Sequence, residues 1–146
     1  MKFELIIDRE HEEVIKAIVK SKNELTDKIE EMVLNYNGVD KVIGYDETEI
    51  IYLDSSDIDC FSVIENKTYA IDHNNRRYQV KYRLYELEKI LPANFIKINK
   101  SCIGNRERIL KFKLFFNGSV NVLFKSGYED YVSRRCFVEI KRSLTK

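Results

Sequence analysis

From Lys41 onward the chain is written in short runs of β-branched and aromatic residues, each broken within a few positions by Gly, Asn, Asp or Ser. Such runs suit half-buried strands and are too short and too β-branched for helices, so this feature alone commits most of the chain to a β fold. The predicted strands are Val42 to Tyr45, Glu49 to Leu53, Ile58 to Glu65, Lys67 to Asp72, Arg77 to Tyr82, Phe95 to Asn99, Ser101 to Ile103, Ile109 to Phe116 and Ser119 to Phe124. Asp72 to Asn75 (DHNN), Asn117-Gly118 and Ser126-Gly127 read as hairpin turns, because Asn, Asp and Gly tolerate left-handed backbone. Two helices interrupt the pattern. Leu84 to Leu91 has Leu84, Leu87, Ile90 and Leu91 on one face and is ended by Pro92, and Arg134 to Leu144 turns Phe137, Val138, Ile140 or the stem of Lys141, and Leu144 inward.

The first 40 residues read differently. Lys2 to Asp8 (KFELIID) alternates as a strand does, and Asn23 to Asn37 has helical spacing through Leu25, Ile29, Met32, Val33 and Tyr36. Asn23 is placed to cap that helix, Glu24 and Asp27 suit its positive end, and Gly38 follows as a stop. His11 to Lys22 is ambiguous between helix and strand; a helix followed by a strand ending near Lys20 is the expectation. Two regions result: an acidic strand and helix extension over 1–40 and a β-domain over 41–146.

Charge divides the chain as well. Residues 1–60 hold 7 Lys/Arg against 16 Asp/Glu, a net of −9, and residues 61–146 hold 18 against 8, a net of +10. The basic part attracts a polyanion that the acidic part repels, unless the two parts serve to pair with each other.

The residues that carry chemistry are missing. Cys60, Cys102 and Cys136 have no CxxC spacing and lie in apolar runs, as buried thiols do. His11 and His73 have no ligand-spaced partners, so no metal is expected. Neither a phosphate loop nor a GxGxxG occurs, and no cofactor is implied. Asp54, Asp57 and Asp59 lack the Gly and Glu of a calcium loop and read as part of a turn. No pattern points to a nucleophilic triad, so the chain is not expected to be an enzyme. With no run of about 18 apolar residues and no signal peptide, the expected location is the cytoplasm.

Two separated segments resemble the LytTR family of bacterial DNA-binding regulators. LYELEKILPANFIKINKSCIGN, Leu84 to Asn105, is similar to the family's central signature of a short helix, a Phe-led strand, a basic-Ser pair and an Asn. KSGYEDYVSRRCFVEIKRSL, Lys125 to Leu144, resembles its ending, in which a Gly turn leads through Val-Ser-Arg-Arg into a closing amphipathic helix. Glu49 to Tyr82 resembles its opening strands, so the likeness spans Val42 to Lys146.

The resemblance implies a mostly β (α+β) fold, an elongated stack of small antiparallel sheets with short helices, here with the N-terminal strand/helix extension added. It also implies sequence-specific binding of double-stranded DNA for transcriptional regulation, by loops that enter successive major grooves. Carried over by position, Asn99, Lys100 and Ser101 form one contact loop, with Lys100 donating to guanine and Ser101 steadying a phosphate. Ser133, Arg134 and Arg135 form another, in which Arg135 matches the base-reading arginine. Asn66, Lys67 and Thr68 fall near a third, and Asn105 takes a structural place. Gly104 stands where an aliphatic residue is usual and Cys136 where an aromatic is frequent, departures expected to loosen local packing. The forty residues before the β-domain are too few for a receiver domain. Binding as a homodimer on paired repeats and action with a membrane-protein partner are further implications.

Without the likeness, Lys100, Arg134 and Arg135 would read as a solvated basic surface. Two rivals stand beside DNA binding. One is a protein-interaction module that uses the basic C-terminal surface. The other is an RNA-binding β-domain, which would need Tyr69, Tyr78, Tyr82 and Phe95 exposed for stacking.

Overall fold

The computed structural model describes residues 1–37 and 40–144, and the chain divides into two units, residues 1–34 and 35–146. In the first, the one regular element is helix α1, Glu24–Asn37, with the predicted bounds. Its start is fixed by a reciprocal cap: Asn23 Oδ1 accepts the Thr26 N–H at 3.0 Å and Thr26 Oγ1 accepts the Asn23 N–H at 3.0 Å. Lys28 pairs with Glu24 one turn earlier at 3.4 Å. Of its apolar stripe, Met32 is exposed and Ile29 and Val33 are half-buried; the side chain of Tyr36, like Gly38, lies outside the described residues.

The expected strand Lys2 to Asp8 does not form, and neither the helix nor the strand expected between His11 and Lys22 is present. A strand satisfies its N–H and C=O groups on a neighbour and its apolar face on a core, and this unit contains no other strand to offer either. Phe3, Leu5 and Ile7 are accordingly exposed.

Among its described residues the second unit has ten strands, all antiparallel in their pairing, and two complete helices. The strands are β1 Lys41–Tyr45, β2 Ile50–Asp54, β3 Ile58–Ile64, β4 Lys67–Asp72, β5 Arg77–Val80, β6 Phe95–Asn99, β7 Cys102–Asn105, β8 Ile109–Leu114, β9 Val120–Phe124 and β10 Glu129–Val132. Helix α2, Leu84–Ile90, lies between β5 and β6, and α3, Arg134–Leu144, closes the chain. Nine of the strands occupy the predicted runs; β10, whose sequence EDYV opens on two carboxylates, was not among them. The mostly β class therefore holds, with the strands gathered into two sheets. One has seven strands in the order β2-β1-β5-β4-β3-β7-β6, and the other three in the order β10-β9-β8. The hairpin β1–β2 joins the larger sheet through the single pair Tyr45 and Gln79. Left-handed backbone occurs at Asn75, Gly118 and Gly127, in the three predicted turns, and also at Glu65 and Asn66 between β3 and β4.

Strand β3 explains the layering. Ile58 to Phe61 are all buried, so both faces of the strand are covered. Phe61, with Val42, Val80, Leu87 and Ile103, faces a core closed by α2. Cys60, with Ile71, Ile98, Val122, Phe124, Cys136 and Ile140, faces a second core closed by the small sheet and α3. The three cysteines are free and buried, and burial pushes the Cys60 thiol well above the usual thiol range. Cys136 is buried in this core, and Gly104 does not loosen it. A Cβ on Gly104 would stand 2.7 Å from Phe124 Cζ and 3.0 Å from Ile98 Cγ1, so the aromatic ring already occupies the space an aliphatic would fill.

The small sheet is tied to β3 by buried polar groups. Ser55–Asp57 form the expected turn, whereas the fully buried Asp59 accepts from Arg108 Nε at 2.8 Å and from the Ser126 N–H at 2.9 Å. Asn105 Nδ2 donates to the Ile58 carbonyl at 3.1 Å, the structural role the sequence suggested for it. Tyr128 donates its hydroxyl proton to Ser62 Oγ at 3.2 Å, and burial pushes its pKa up to about 12.

Candidate nucleic-acid interface

The three loops singled out in the sequence become three tight connections: the β3–β4 turn with Asn66, Lys67 and Thr68, the β6–β7 turn with Asn99, Lys100 and Ser101, and the β10–α3 junction with Ser133, Arg134 and Arg135. Sheet order brings the first two together, because β7 pairs with β3 and its start lies beside the end of β3. The Val63 N–H donates to the Ser101 carbonyl at 2.8 Å across that gap. The second and third are joined twice: Asn99 Nδ2 donates to the Tyr131 carbonyl at 2.8 Å, and the Ser133 N–H donates to the Ile98 carbonyl at 3.0 Å. The three backbones thus form one connected row.

Within the row the side chains divide by exposure. Lys67, Asn66, Lys100, Arg134 and Arg135 are exposed, and Ser101 and Ser133 are half-buried. Thr68 is buried at the start of β4. Asn99 is only 1% exposed, and both ends of its amide are used: besides the bond to Tyr131, its Oδ1 accepts the Ser101 N–H at 2.8 Å. Its expected place among the contact residues is therefore corrected. Asn99 shapes the turn that presents Lys100, and its burial keeps the remaining N–H and lone pair of the amide away from a ligand.

Ser133 is the N-cap of α3, with Oγ accepting the Cys136 N–H at 3.2 Å while its carbonyl accepts the Phe137 N–H at 2.9 Å. Arg134 and Arg135 then fall in the first turn, which carries no acidic residue. Two cations at the positive end of a helix disfavour folding there, the reverse of the acidic residues at the start of α1. An anion docked at that end would offset the repulsion.

Two clefts flank the row. One, of about 470 Å³, lies between the β8–β9 turn and the start of α3 and is lined by Asn117, Ser119, Ser133, Arg134 and Phe137. The other, of about 880 Å³, is lined by Lys67 and Lys100 together with Lys81, Arg83 and Lys97. The sequence reading passed over Lys81 and Arg83; the basic and aromatic alternation Lys81-Tyr82-Arg83 was the signal available for them. Among the described residues, no cluster of His, Cys, Asp or Glu could hold a metal ion, and no helix is long and apolar enough to cross a membrane.

The aromatics needed for an RNA-stacking face are spent elsewhere. Tyr78 belongs to the core, Tyr69 and Phe95 pack against the two cores, and of the four only Tyr82 is exposed.

Comparison with known proteins places the fold in a family. The model of the LytTr DNA-binding domain matches residues 48–145. The chain belongs to the LytTR family. Its relatives include an uncharacterised HTH-type transcriptional regulator of Staphylococcus aureus strain NCTC 8325 / PS 47, 37% identical over 124 residues, covering 83% of this chain and 84% of the relative. The counterpart in Staphylococcus aureus strain MRSA252 matches with the same identity and coverage. Among solved structures, the LytTr DNA-binding domain of a methyl-accepting/DNA response regulator from Bacillus cereus superposes with a TM-score of 0.67. At 22% identity it covers 73% of this chain and 98% of its own, and it shows the same LytTR fold. Among the described residues the relatives' HTH label has no counterpart, since α2 and α3 are separated by five strands and form no helix-turn-helix.

Proposed function

We propose that this LytTR chain binds double-stranded DNA sequence-selectively to regulate transcription, with the β3–β4 turn, the β6–β7 turn and the β10–α3 junction entering successive major grooves. The observation that carries the reading is the hydrogen-bonded row of three connections that holds Lys67, Lys100, Arg134 and Arg135 exposed at one edge of the fold. Arg135 reads a guanine through its guanidinium fork, Lys100 donates to a second base edge, and Asn66, Lys67, Ser101, Ser133 and Arg134 hold phosphates. Thr68 supports its turn from within. No catalytic step is assigned to any residue. A cytoplasmic homodimer on paired repeats, with a membrane-protein partner supplying the signal, completes the reading.

The direct test is selection of bound duplexes from a random pool, followed by titration of the enriched duplex against a scrambled one. Enrichment of a defined motif is the expected result. Equal affinity for both duplexes would remove sequence selectivity, and no measurable binding to either would overturn the reading. An acidic protein surface as the true partner, the remaining rival, predicts that second outcome.

A further inference from the structure

The larger sheet carries more than two of the proposed contact turns along this edge. Thr68 at the start of β4 pairs with Val80 at the end of β5, so the chain leaving β5 emerges beside the β3–β4 turn. The next residues are Lys81, Tyr82 and Arg83, all exposed. Read along the sheet order, the edge presents Lys81 and Arg83, then Asn66 and Lys67, then Lys100 and Ser101, and the hydrogen bonds of Asn99 and Ser133 continue the row to α3. From β5 to β6 there are four strand spacings, or about 19 Å. Lys81 and Arg83 therefore sit at the end of the row opposite Arg135.

Charge singles this end out. Lys67, Lys81, Arg83 and Lys100 line one cleft with a single carboxylate, Glu88, which is paired with Lys97 at 3.7 Å. Among the described residues, no carboxylate lies within ion-pair distance of those four cations. The Lys81 ammonium rests over the Tyr45 ring, 4.7 Å from its centroid, which holds it at the surface without neutralising it. Arg83 is free to present its side chain because its helix-capping bond, N–H to Glu86 Oε1 at 3.0 Å, is made by the backbone. Four uncompensated cations in one cleft repel one another, and a polyanion lying along them relieves that repulsion.

We propose that Lys81 and Arg83 form a fourth contact element, which grips the sugar-phosphate backbone of the bound duplex beyond the β3–β4 turn, on the side away from α3. This rests on the reading of the edge as DNA-facing. The footprint is then longer than the base-read site and extends from one end only. The contact is with phosphate, so it adds affinity without selectivity.

The test uses the whole chain and the duplex that wild type enriches from a random pool. Wild type, the double variant Lys81→Ala/Arg83→Ala and the charge-keeping pair Lys81→Arg/Arg83→Lys are titrated at several salt concentrations against enriched and scrambled duplexes. The double variant is expected to weaken both by the same factor and to lower the salt slope by about two units, one for each phosphate left without its cation, while the charge-keeping pair restores most of the binding. Trimming the enriched duplex at the end away from the base that Arg135 reads should bring wild type down to the double variant, whereas trimming the other end should preserve their difference. An unchanged salt slope in the double variant, beside normal wild-type binding, would overturn this inference and leave the DNA-binding reading standing. A loss confined to one base position would make these residues base readers and overturn it as well. Failure of wild type to bind any duplex would overturn both.

Discussion

We propose that selectivity turns on Arg135. Its replacement by Ala is expected to cost about 1 to 3 kcal/mol on the enriched duplex and to flatten preference at one base position, with Lys recovering only part, because a point-like ammonium cannot reproduce a bidentate fork. Equal losses on enriched and scrambled duplexes would reduce Arg135 to a phosphate contact. Gly104 offers a test of packing at the same scale. Gly104→Ala places a Cβ against the Phe124 ring at 2.7 Å and should destabilise by about 1 to 3 kcal/mol in urea unfolding, where an unchanged midpoint would mean that the ring yields freely. The exposed places of Lys100, Arg134 and Arg135 were legible because these residues sit in local motifs. Asn99 was misread for the opposite reason: what consumes its amide is the carbonyl of Tyr131, 32 positions away.

Among the elements, α3 joins stability to the proposed binding through its cap. Ser133→Ala removes the bond to the Cys136 N–H and is expected to cost about 1 kcal/mol, seen as a lower urea midpoint with an unchanged slope. Ser133→Asp keeps a capping oxygen but sets a negative charge beside Arg134 and Arg135, so it should fold normally and lose duplex affinity; retained affinity would argue that no phosphate approaches this helix start. Helix and strand bounds were readable wherever periodicity and turn residues agreed, as in β4 and α3. Strand β10 escaped because its two leading carboxylates hide the alternation; Glu129 is held in place by Lys113 at 2.7 Å and Asn121 at 2.7 Å on its two oxygens. Lys2 to Asp8 failed in the other direction, since alternation states what a strand could bury and cannot supply the partner.

The whole molecule depends on contacts across its two sheets that no local pattern announces. Asp59 and Arg108 are 49 residues apart, and Tyr128 and Ser62 are 66 apart. The Tyr128 contact gives a pH signature. Its proton is held to about pH 12 in the folded chain but released near pH 10 when unfolded, so its contribution is intact below pH 10 and lost as pH rises from about 10 to 12. Thermal unfolding of wild type and Tyr128→Phe across that range should converge in stability if burial of the hydroxyl sets the shift, and parallel curves would refute it. We also propose that the acidic extension serves assembly, as its exposed Phe3, Leu5, Ile7 and Met32 invite. Deleting residues 1–38 should reduce solubility or dimerisation in sedimentation measurements, and a folded remainder with unchanged assembly would count against that role.

In the proposed reading, the row of turns along the sheet edge also acts as a ruler. Strand spacing fixes the distance between neighbouring contact points, and the ladder that sets it is part of the core, so no loop can slide to follow a shifted base. Substitutions in an operator can be tolerated one position at a time, whereas a single inserted base pair moves every later contact out of reach together. Sites recognised by this chain should therefore drift in composition while keeping their internal spacing.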